Sequence, residues 1–218
     1  DAGLEPFANC PKLHTVNVKK TKVTEAGVKK LSAALPKCKI EWDGGVIEPT
    51  VDSDRKAAEW LLSVGGQFQF WENGELRLIK AGNLLPEAAF HIHTIGLSDN
   101  PRLMDADLNR IAGLSELESL YLINTAITDA GLEHLRKLPK LQNLFLQGTR
   151  ITNAGLPTLR EVPSLRSLTL DSTRITDEGL AHLPEGLIGV DLGHTVISDA
   201  GLKKLAQSQQ LTSLSVGG

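Results

Sequence analysis

Two pairs of side chains in this sequence have the types and spacing that could do chemistry. His91 and His93 are two residues apart, so on a strand both imidazoles would lie on one face, a spacing compatible with a metal. The sequence shows no third ligand, and the histidines flank Ile92, which places them on the outer, solvated face of a sheet. Asp105 and Asp107 form a carboxylate pair of the kind that acid–base catalysis uses. Helices begin at the matching place elsewhere in the chain, so helix capping explains this pair.

The remaining reactive side chains also favour structural roles. His134 and His182 are interpreted as surface histidines. Cys10 and Cys38 stand where other parts of the sequence have leucine, so we expect them in the core rather than in a disulfide or a metal pair. The sequence has no phosphate-binding Gly loop, Ser-His-Asp arrangement or kinase motif. We therefore expect no enzyme activity, no cofactor and no metal.

A repeat of about 24 residues determines how these side chains are positioned. Each unit begins L-x-x-[LV]-x-L and continues through a Thr to G-L-x-x-L. This spacing predicts an α/β leucine-rich-repeat solenoid, right-handed, with a parallel sheet on the concave face and short helices on the convex face. The four clearest units are Leu117–Lys140, Leu141–Ser164, Leu165–Gly186 and Leu187–Gln210.

Each position of the repeat has a predicted role. In the second unit, Leu141, Leu144 and Leu146 occupy positions 1, 4 and 6 and should face the core. Thr149, at position 9, can hydrogen-bond the backbone where the strand ends. A Thr-Asp or similar pair then supplies a helix N-cap. Gly155, at position 15, is interpreted as the point where helix and sheet approach too closely for a side chain.

The repeat is interrupted, which divides the chain into segments. A helix at 55–64 and strands at 67–71 and 76–79 are predicted, because Asn73-Gly74 between apolar alternation is a strong hairpin signal. A degenerate repeat starts at Ile92. The predicted segments are 1–48, the end of a first leucine-rich-repeat unit with a closing strand; 49–53, a linker; 54–91, a capping helix and β-hairpin; and 92–218, the solenoid.

Both ends of the sequence interrupt a repeat. We therefore expect a fragment, or ends covered by a neighbour, with core leucines such as Leu211 and Leu214 exposed. Self-association through the open ends of the solenoid is a further expectation. The sequence has no signal-peptide pattern and no apolar run long enough to span a membrane, so the prediction is no membrane insertion and an undefined compartment, the cytoplasm being favoured.

Three motifs carry a resemblance to a known group of proteins. They are T-D-A-G-L at Thr128–Leu132, LPKCKIEWDGGVIEP at Leu35–Pro49 and DRKAAEWLLSVGG at Asp54–Gly66. With them the chain resembles the tandem leucine-rich-repeat regions of large planctomycete proteins, many of which carry a serine/threonine kinase domain elsewhere. The resemblance implies a bacterial interaction or sensing module. The repeat is also similar to that of F-box adaptors, but the usual cysteine and the F-box are absent.

The concave face, formed by strand positions 2, 3, 5 and 7, is the candidate binding surface. Tyr121 and Phe145 occupy position 5 of adjacent strands, and exposed aromatics on a rigid sheet are good anchors for a protein partner. The net charge of −3 argues against nucleic acid. Alternatives are an aromatic pair that only stabilises the sheet, a regulatory or ligand-sensing segment of a signalling protein, and a structural spacer or envelope component. The candidate residues are Glu118, Tyr121, Ile123, Gln142, Phe145, Gln147, Arg166, Thr169, Asp171 and Asp191.

Overall fold

A computed structural model describes residues 1–10, 12–35, 38–47, 53–86, 90–206 and 210–217. The chain forms two compact units, residues 1–53 and 54–218. The predicted linker at 49–53 falls outside the described residues except for Ser53, which begins a helix.

The described residues of the first unit form two helical and three extended elements. They are a 3₁₀ helix at Ala2–Asn9, β1 (Thr15–Asn17), α1 (Glu25–Ala34), β2 (Lys39–Trp42) and β3 (Gly45–Ile47). Strands β1 and β2 pair in parallel, and β3 turns back antiparallel to β2. The α1 N-cap is Thr24, whose hydroxyl accepts a hydrogen bond from the Gly27 N–H. The core comprises Leu4, Val28, Leu31, Leu35, Cys38 and Ile40.

The two cysteines of this unit differ in their environments. Cys38 is buried, as its leucine-like position predicts, and the burial raises the pKa of its thiol. The core position predicted for Cys10 is wrong, because this side chain is exposed. Cys10 ends the 3₁₀ helix, in which Leu4 is the buried residue. The periodicity therefore predicts which position of the repeat Cys10 occupies. It does not predict burial, because no described element packs over this side chain.

The second unit contains one sheet of eight strands. Six strands from consecutive repeats are parallel, whereas a hairpin at one edge is antiparallel to the first of them. The hairpin strands are β4 (Gln67–Glu72) and β5 (Glu75–Lys80). The parallel strands are β6 (Ile92–Gly96), β7 (Ser119–Tyr121), β8 (Asn143–Phe145), β9 (Ser167–Thr169), β10 (Gly189–Asp191) and β11 (Ser213–Ser215). The order across the sheet is β5-β4-β6-β7-β8-β9-β10-β11.

Short helices on the other side of the core connect the parallel strands, and α2 precedes the hairpin. The α-helices are α2 (Ser53–Ser63), α3 (Asp129–Leu132), α4 (Leu156–Leu159) and α5 (Asp199–Leu205). The 3₁₀ helices are Asp105–Arg110, Glu133–Lys137, Asn153–Gly155 and Gly179–His182. Leu141, Leu144 and Leu146 have no exposed surface, as positions 1, 4 and 6 of the repeat predict. No helix among the described residues has the length and apolar character needed to cross a membrane.

Strands β1 and β7 to β10 end in the same tight turn. The Thr149 hydroxyl donates to the Leu146 carbonyl oxygen at 2.5 Å, and Thr125 makes the same bond to Leu122. The Leu146 carbonyl oxygen also accepts from the Thr149 N–H at 3.2 Å, so the hydroxyl and the backbone of this threonine both close the turn. The residue just before position 9 has a positive φ, from 49° to 67°, at Lys20, Asp99, Asn124, Gly148, Ser172 and His194. Position 9 is Asn100 after Asp99 and threonine after the other five.

Successive repeats are joined on the helical side by side-chain hydrogen bonds, which we call the aspartate ladder. Asp129 Oδ1 accepts from the Thr152 N–H at 2.9 Å, and Asp129 Oδ2 accepts from the Thr152 hydroxyl at 2.7 Å. The Thr152 oxygen in turn accepts from the Ala154 N–H and caps the next helical turn. The other pairs of the ladder are Asp1–Thr24, Asp105–Thr128, Asn153–Thr176 and Asp177–Ser198.

The ladder corrects the explanation of the repeated glycine. A Cβ on Gly155 would lie 2.4 Å from Asp129 Oδ1 and 2.8 Å from Leu132 Cδ1. The close approach is therefore to the carboxylate and helix of the preceding repeat, not to the sheet. Gly131 and Gly201 face the ladder residues Asp105 and Asp177 in the same way.

Helix α2 and the hairpin of the second unit pack around buried aromatic rings. Phe68 stacks on Phe90 with ring centroids 5.7 Å apart, and the Arg55 guanidinium lies 5.5 Å from the Phe90 centroid. Asp54 is buried, and its Oδ1 accepts a hydrogen bond from the Ile92 N–H at 2.7 Å. Asp54 thus joins α2 to β6.

At the opposite edge of the sheet, β11 leaves apolar side chains uncovered. Leu214 is 45% exposed and Val216 is 42% exposed, whereas Leu211 is partly buried against the core. The expected exposure therefore holds for Leu214 and only in part for Leu211.

Candidate functional site

The strands present their position-5 side chains in one row on the sheet face that points away from the core. Backbone register places Gly96 beside Tyr121, Tyr121 beside Phe145, and Phe145 beside Thr169. The row continues through Asp191 to β11. This row is the centre of the predicted concave face, and it follows from the parallel register of equal repeats.

Tyr121 and Phe145 form a parallel stack within this row. Their ring centroids are 4.1 Å apart and their planes differ by 5°. Both side chains are half-buried, and Ile123, two residues beyond Tyr121, is half-buried as well. The stack holds two large apolar side chains rigidly at the surface. Side chains of this kind commonly contribute most of the binding energy of a protein interface.

Polar candidates lie beyond the stack and hydrogen-bond one another. The Thr169 hydroxyl donates to Gln147 Oε1 at 2.9 Å. Asp171 Oδ1 lies 2.9 Å from His194 Nδ1, and the Ser172 hydroxyl donates to Asp171 Oδ2. The hydrogen bond with His194, followed by that from Ser172, holds the pKa of the Asp171 carboxyl below its ordinary value.

The position-2 candidates form one side of the surface. Glu118 Oε1 lies 3.4 Å from His93 Nδ1, Gln142 is exposed, and the Arg166 guanidinium donates to the Pro163 carbonyl oxygen. His93 was expected on the outer, solvated face of the sheet; its side chain contacts outer-face residues but is only 17% exposed, because it packs edge-on against Trp71. The hairpin covers this imidazole. The repeat periodicity does not reveal that the hairpin lies beside β6.

Three residues of the hairpin join the candidate surface, and sequence analysis did not single them out. Trp71 is 55% exposed, Leu76 45% and Leu78 48%. Trp71 pairs with Leu76, and Gln69 pairs with Leu78 and with Thr94 at position 3 of β6, so all lie on the outer face. Alternation of β4 around buried Phe68 and Phe70 could have indicated Trp71. That Trp71 lies near the solenoid strands follows only from the register between β4 and β6.

A shallow cavity lies between the hairpin and the aromatic stack. Its volume is about 500 Å³. Residues from both sides line it, including Gln67, Gln69, Leu78, Gly96, Asp99 and Tyr121. Because Gly96 has no side chain, the row of position-5 side chains is open beside Tyr121.

Among the residues first considered for chemistry, Asp105 and Asp107 make hydrogen bonds that stabilise the fold. His91 is exposed, and its Nδ1 lies 3.4 Å from the buried Asp54. Asp107 Oδ2 accepts from the Met104 N–H and caps the helical turn, as predicted, whereas Asp105 belongs to the ladder. His182 is exposed and His134 half-buried. Within the described ranges, no group of three or more His, Cys, Asp or Glu side chains is arranged to hold a metal ion.

Comparisons with known proteins agree with this architecture. The family described as "Leucine Rich repeat" matches residues 163–183 and 190–206. An internalin from Listeria monocytogenes superposes with a TM-score of 0.50 at 17% identity, over 98% of this chain and 50% of the internalin chain. The chain folds as a leucine-rich-repeat solenoid. It spans about half the length of that internalin structure.

A second solved structure is similar at a lower level. The leucine-rich-repeat ectodomain of the receptor kinase SOBIR1 from Arabidopsis thaliana aligns with a TM-score of 0.40 and 16% identity, over 76% of this chain and 92% of that chain. A search of curated proteins found no match. Leucine-rich-repeat solenoids are commonly protein-interaction modules and typically have no catalytic activity.

Proposed function

We propose that this protein is a non-catalytic interaction module that binds a protein partner through the concave face of its second unit. The observation that carries the proposal is the Tyr121–Phe145 stack, on the same sheet face as the exposed Trp71, Leu76 and Leu78. Large aromatic side chains held rigidly at a surface lose little entropy on binding and commonly supply most of the affinity.

Charged groups around this apolar surface favour a partner with basic residues. Glu118, Asp171 and Asp191 are all half-buried on the concave face. The candidate set contains one base, Arg166, whose guanidinium donates to the carbonyl oxygens of Pro163 and Leu165. A partner with an apolar centre and a basic periphery would complement this distribution of charge.

Site-specific crosslinking tests which face meets the partner. A photoreactive amino acid replaces Gln147 on the concave face in one variant and the exposed Lys137 on the helical side in another. Both variants are irradiated in cells that produce the protein, and crosslinked proteins are identified by mass spectrometry. We expect a defined partner from position 147 and none from position 137. A partner that crosslinks only from position 137 would contradict the proposal.

Affinity measurements with the purified partner then test the aromatic stack. Replacing both Tyr121 and Phe145 by alanine should weaken binding about 30-fold or more, the loss expected for residues that dominate an interface. Tyr121→Phe keeps the stacked rings and should retain most of the affinity. Phe7→Ala, which removes an exposed phenylalanine of the first unit, is the matched control. If the double variant folds and binds as tightly as the wild type, the stack only stabilises the sheet.

A further inference from the structure

The cavity beside Gly96 has features of a binding site for one positively charged side chain. Backbone register places Gly96 between Gln67 of the hairpin and Tyr121 of β7. Phe145 covers one face of the Tyr121 ring. The neighbour on the other side is a glycine, so no position-5 side chain covers the second face, which borders the cavity.

The polar groups around this cavity favour a cation. Asp99 lines it and supplies a carboxylate. Its Oδ1 accepts a hydrogen bond from Asn124 Nδ2 at 2.9 Å, which fixes the orientation of the carboxylate. Gln67 and Gln69 line the other side and carry amide oxygens that accept hydrogen bonds. The basic Lys80 pairs with Gln67 on the edge strand and does not line the cavity.

Gln67 occupies part of the space now. Its Cγ and Nε2 lie 2.9 and 3.0 Å from where a Cβ on Gly96 would be, so its side chain lies across the glycine. Gln67 is exposed and can change rotamer at small cost. The cavity can therefore enlarge toward the open face of Tyr121 without a backbone change.

We propose that this cavity binds an arginine side chain of the partner, with the guanidinium stacked on Tyr121 opposite Phe145 and paired with Asp99. A guanidinium is planar, stacks on aromatic faces and carries five donors, which match one carboxylate and two amide oxygens. Leu78 packs beside the aliphatic part of the arginine. The proposal rests on the proposed function, because it assigns one residue class of the partner to one place on the concave face.

The isolated protein provides a direct test, because Tyr121 is its single tyrosine. Biosynthetic incorporation of 3-fluorotyrosine gives one ¹⁹F resonance at the cavity. The probes are N-acetyl-arginine amide, the neutral isostere N-acetyl-citrulline amide, and N-acetyl-lysine amide, titrated at constant ionic strength. We expect a saturable shift with arginine, and an affinity about fivefold or more weaker for citrulline, the discrimination expected of an exposed cation–π and charge pair. Lysine should fall between them.

Two substitutions should change this discrimination in opposite directions. Asp99→Asn removes the charge but keeps the hydrogen bond with Asn124 and suits the positive φ of 57°, so the preference for arginine over citrulline should shrink to the part that the cation–π contact with Tyr121 supplies. Gln69→Glu adds a carboxylate and should tighten arginine binding. Asp191→Asn, on the same face three strands from Tyr121, is the control and should have no effect.

The proposal is overturned if arginine and citrulline shift the resonance equally, or if Asp99→Asn and Gln69→Glu leave both titrations unchanged. These results come from the protein alone. Partner binding that persists alongside them would preserve the interaction module and remove only the arginine site. A partner that contacts the helical side, with arginine still bound at Tyr121, would remove the module's proposed face and leave the cavity as a binding site.

Discussion

The helical side and the concave side of the second unit are built from the same repeats but differ in variability. On the helical side the same arrangement recurs in successive repeats: a side-chain oxygen at Asp105, Asp129, Asn153 and Asp177 accepts hydrogen bonds from the next repeat, and a glycine makes room for it. On the concave side, position 5 changes from glycine through tyrosine, phenylalanine and threonine to aspartate. Repetition thus marks the positions that hold the repeats together, and variation marks positions that the stacking of repeats leaves unconstrained.

The strongest test of this comparison substitutes two residues of one repeat, one in the core and one on the concave face. Leu144→Ala removes a fully buried side chain and should lower the free energy of unfolding by about 2–5 kcal/mol. Gln142→Ala, at an exposed concave position, should change it by less than about 0.5 kcal/mol. Urea unfolding followed by circular dichroism measures both. Similar losses for the two variants would contradict the division between core and concave positions.

The aspartate ladder should contribute the next largest effect. Asp129→Ala leaves the Thr152 N–H and hydroxyl without their acceptor, which should cost about 1–3 kcal/mol of unfolding free energy. The chain itself supplies the control, because Asn153 Oδ1 accepts from the Thr176 N–H while its Nδ2 donates to the Thr176 hydroxyl. Asp129→Asn should therefore lose less than about 1 kcal/mol. Equal losses for Ala and Asn would show that these hydrogen bonds do not stabilise the stack.

A double-mutant cycle tests why glycine follows the ladder residue. Gly155→Ala places a Cβ against Asp129 Oδ1 and should cost about 1–3 kcal/mol. In the Asp129→Ala background that oxygen is gone, so the cost should fall by about 0.5 kcal/mol or more, although Leu132 still has to adjust. Additive costs would show that the carboxylate does not constrain this glycine.

The smallest expected effect concerns acid. The hydrogen bond from the Ser198 hydroxyl, then that from the Ser198 N–H, hold the pKa of Asp177 below its ordinary value of 3.8. A lowered pKa in the folded state stabilises the fold above the ordinary value, and the stabilisation disappears as pH falls through the lowered value. Thermal unfolding between pH 7 and pH 2 should therefore show the advantage of wild type over Asp177→Ala shrinking below pH 3.8. A constant difference across this range would contradict the effect.

Much of the fold could be predicted from the sequence because its signals are local and repeated. The spacing of Leu141, Leu144 and Leu146 indicates one buried strand face, and equal repeats align those strands. The same alignment places Tyr121 beside Phe145, so their contact was expected and the structure adds the parallel stack. The hairpin signal at Asn73-Gly74 likewise marks a turn between β4 and β5.

The rest could not be predicted, because it depends on which distant segments meet. The bond between Asp129 and Thr152 spans 23 residues and exists only when repeats stack. Cys10 has a core position in the repeat but is exposed, because burial depends on what packs over a residue as well as on its place in a pattern.

By itself, the sequence determined the repeat, its core positions and the order of side chains along the concave face, since periodic apolar spacing dictates which face of each segment leaves water. Only the tertiary structure decided that β4 pairs antiparallel with β6, bringing Gln69 and Leu78 to the cavity beside Tyr121. Strand register between non-repeated segments depends on packing between surfaces far apart in the chain, which no local pattern encodes.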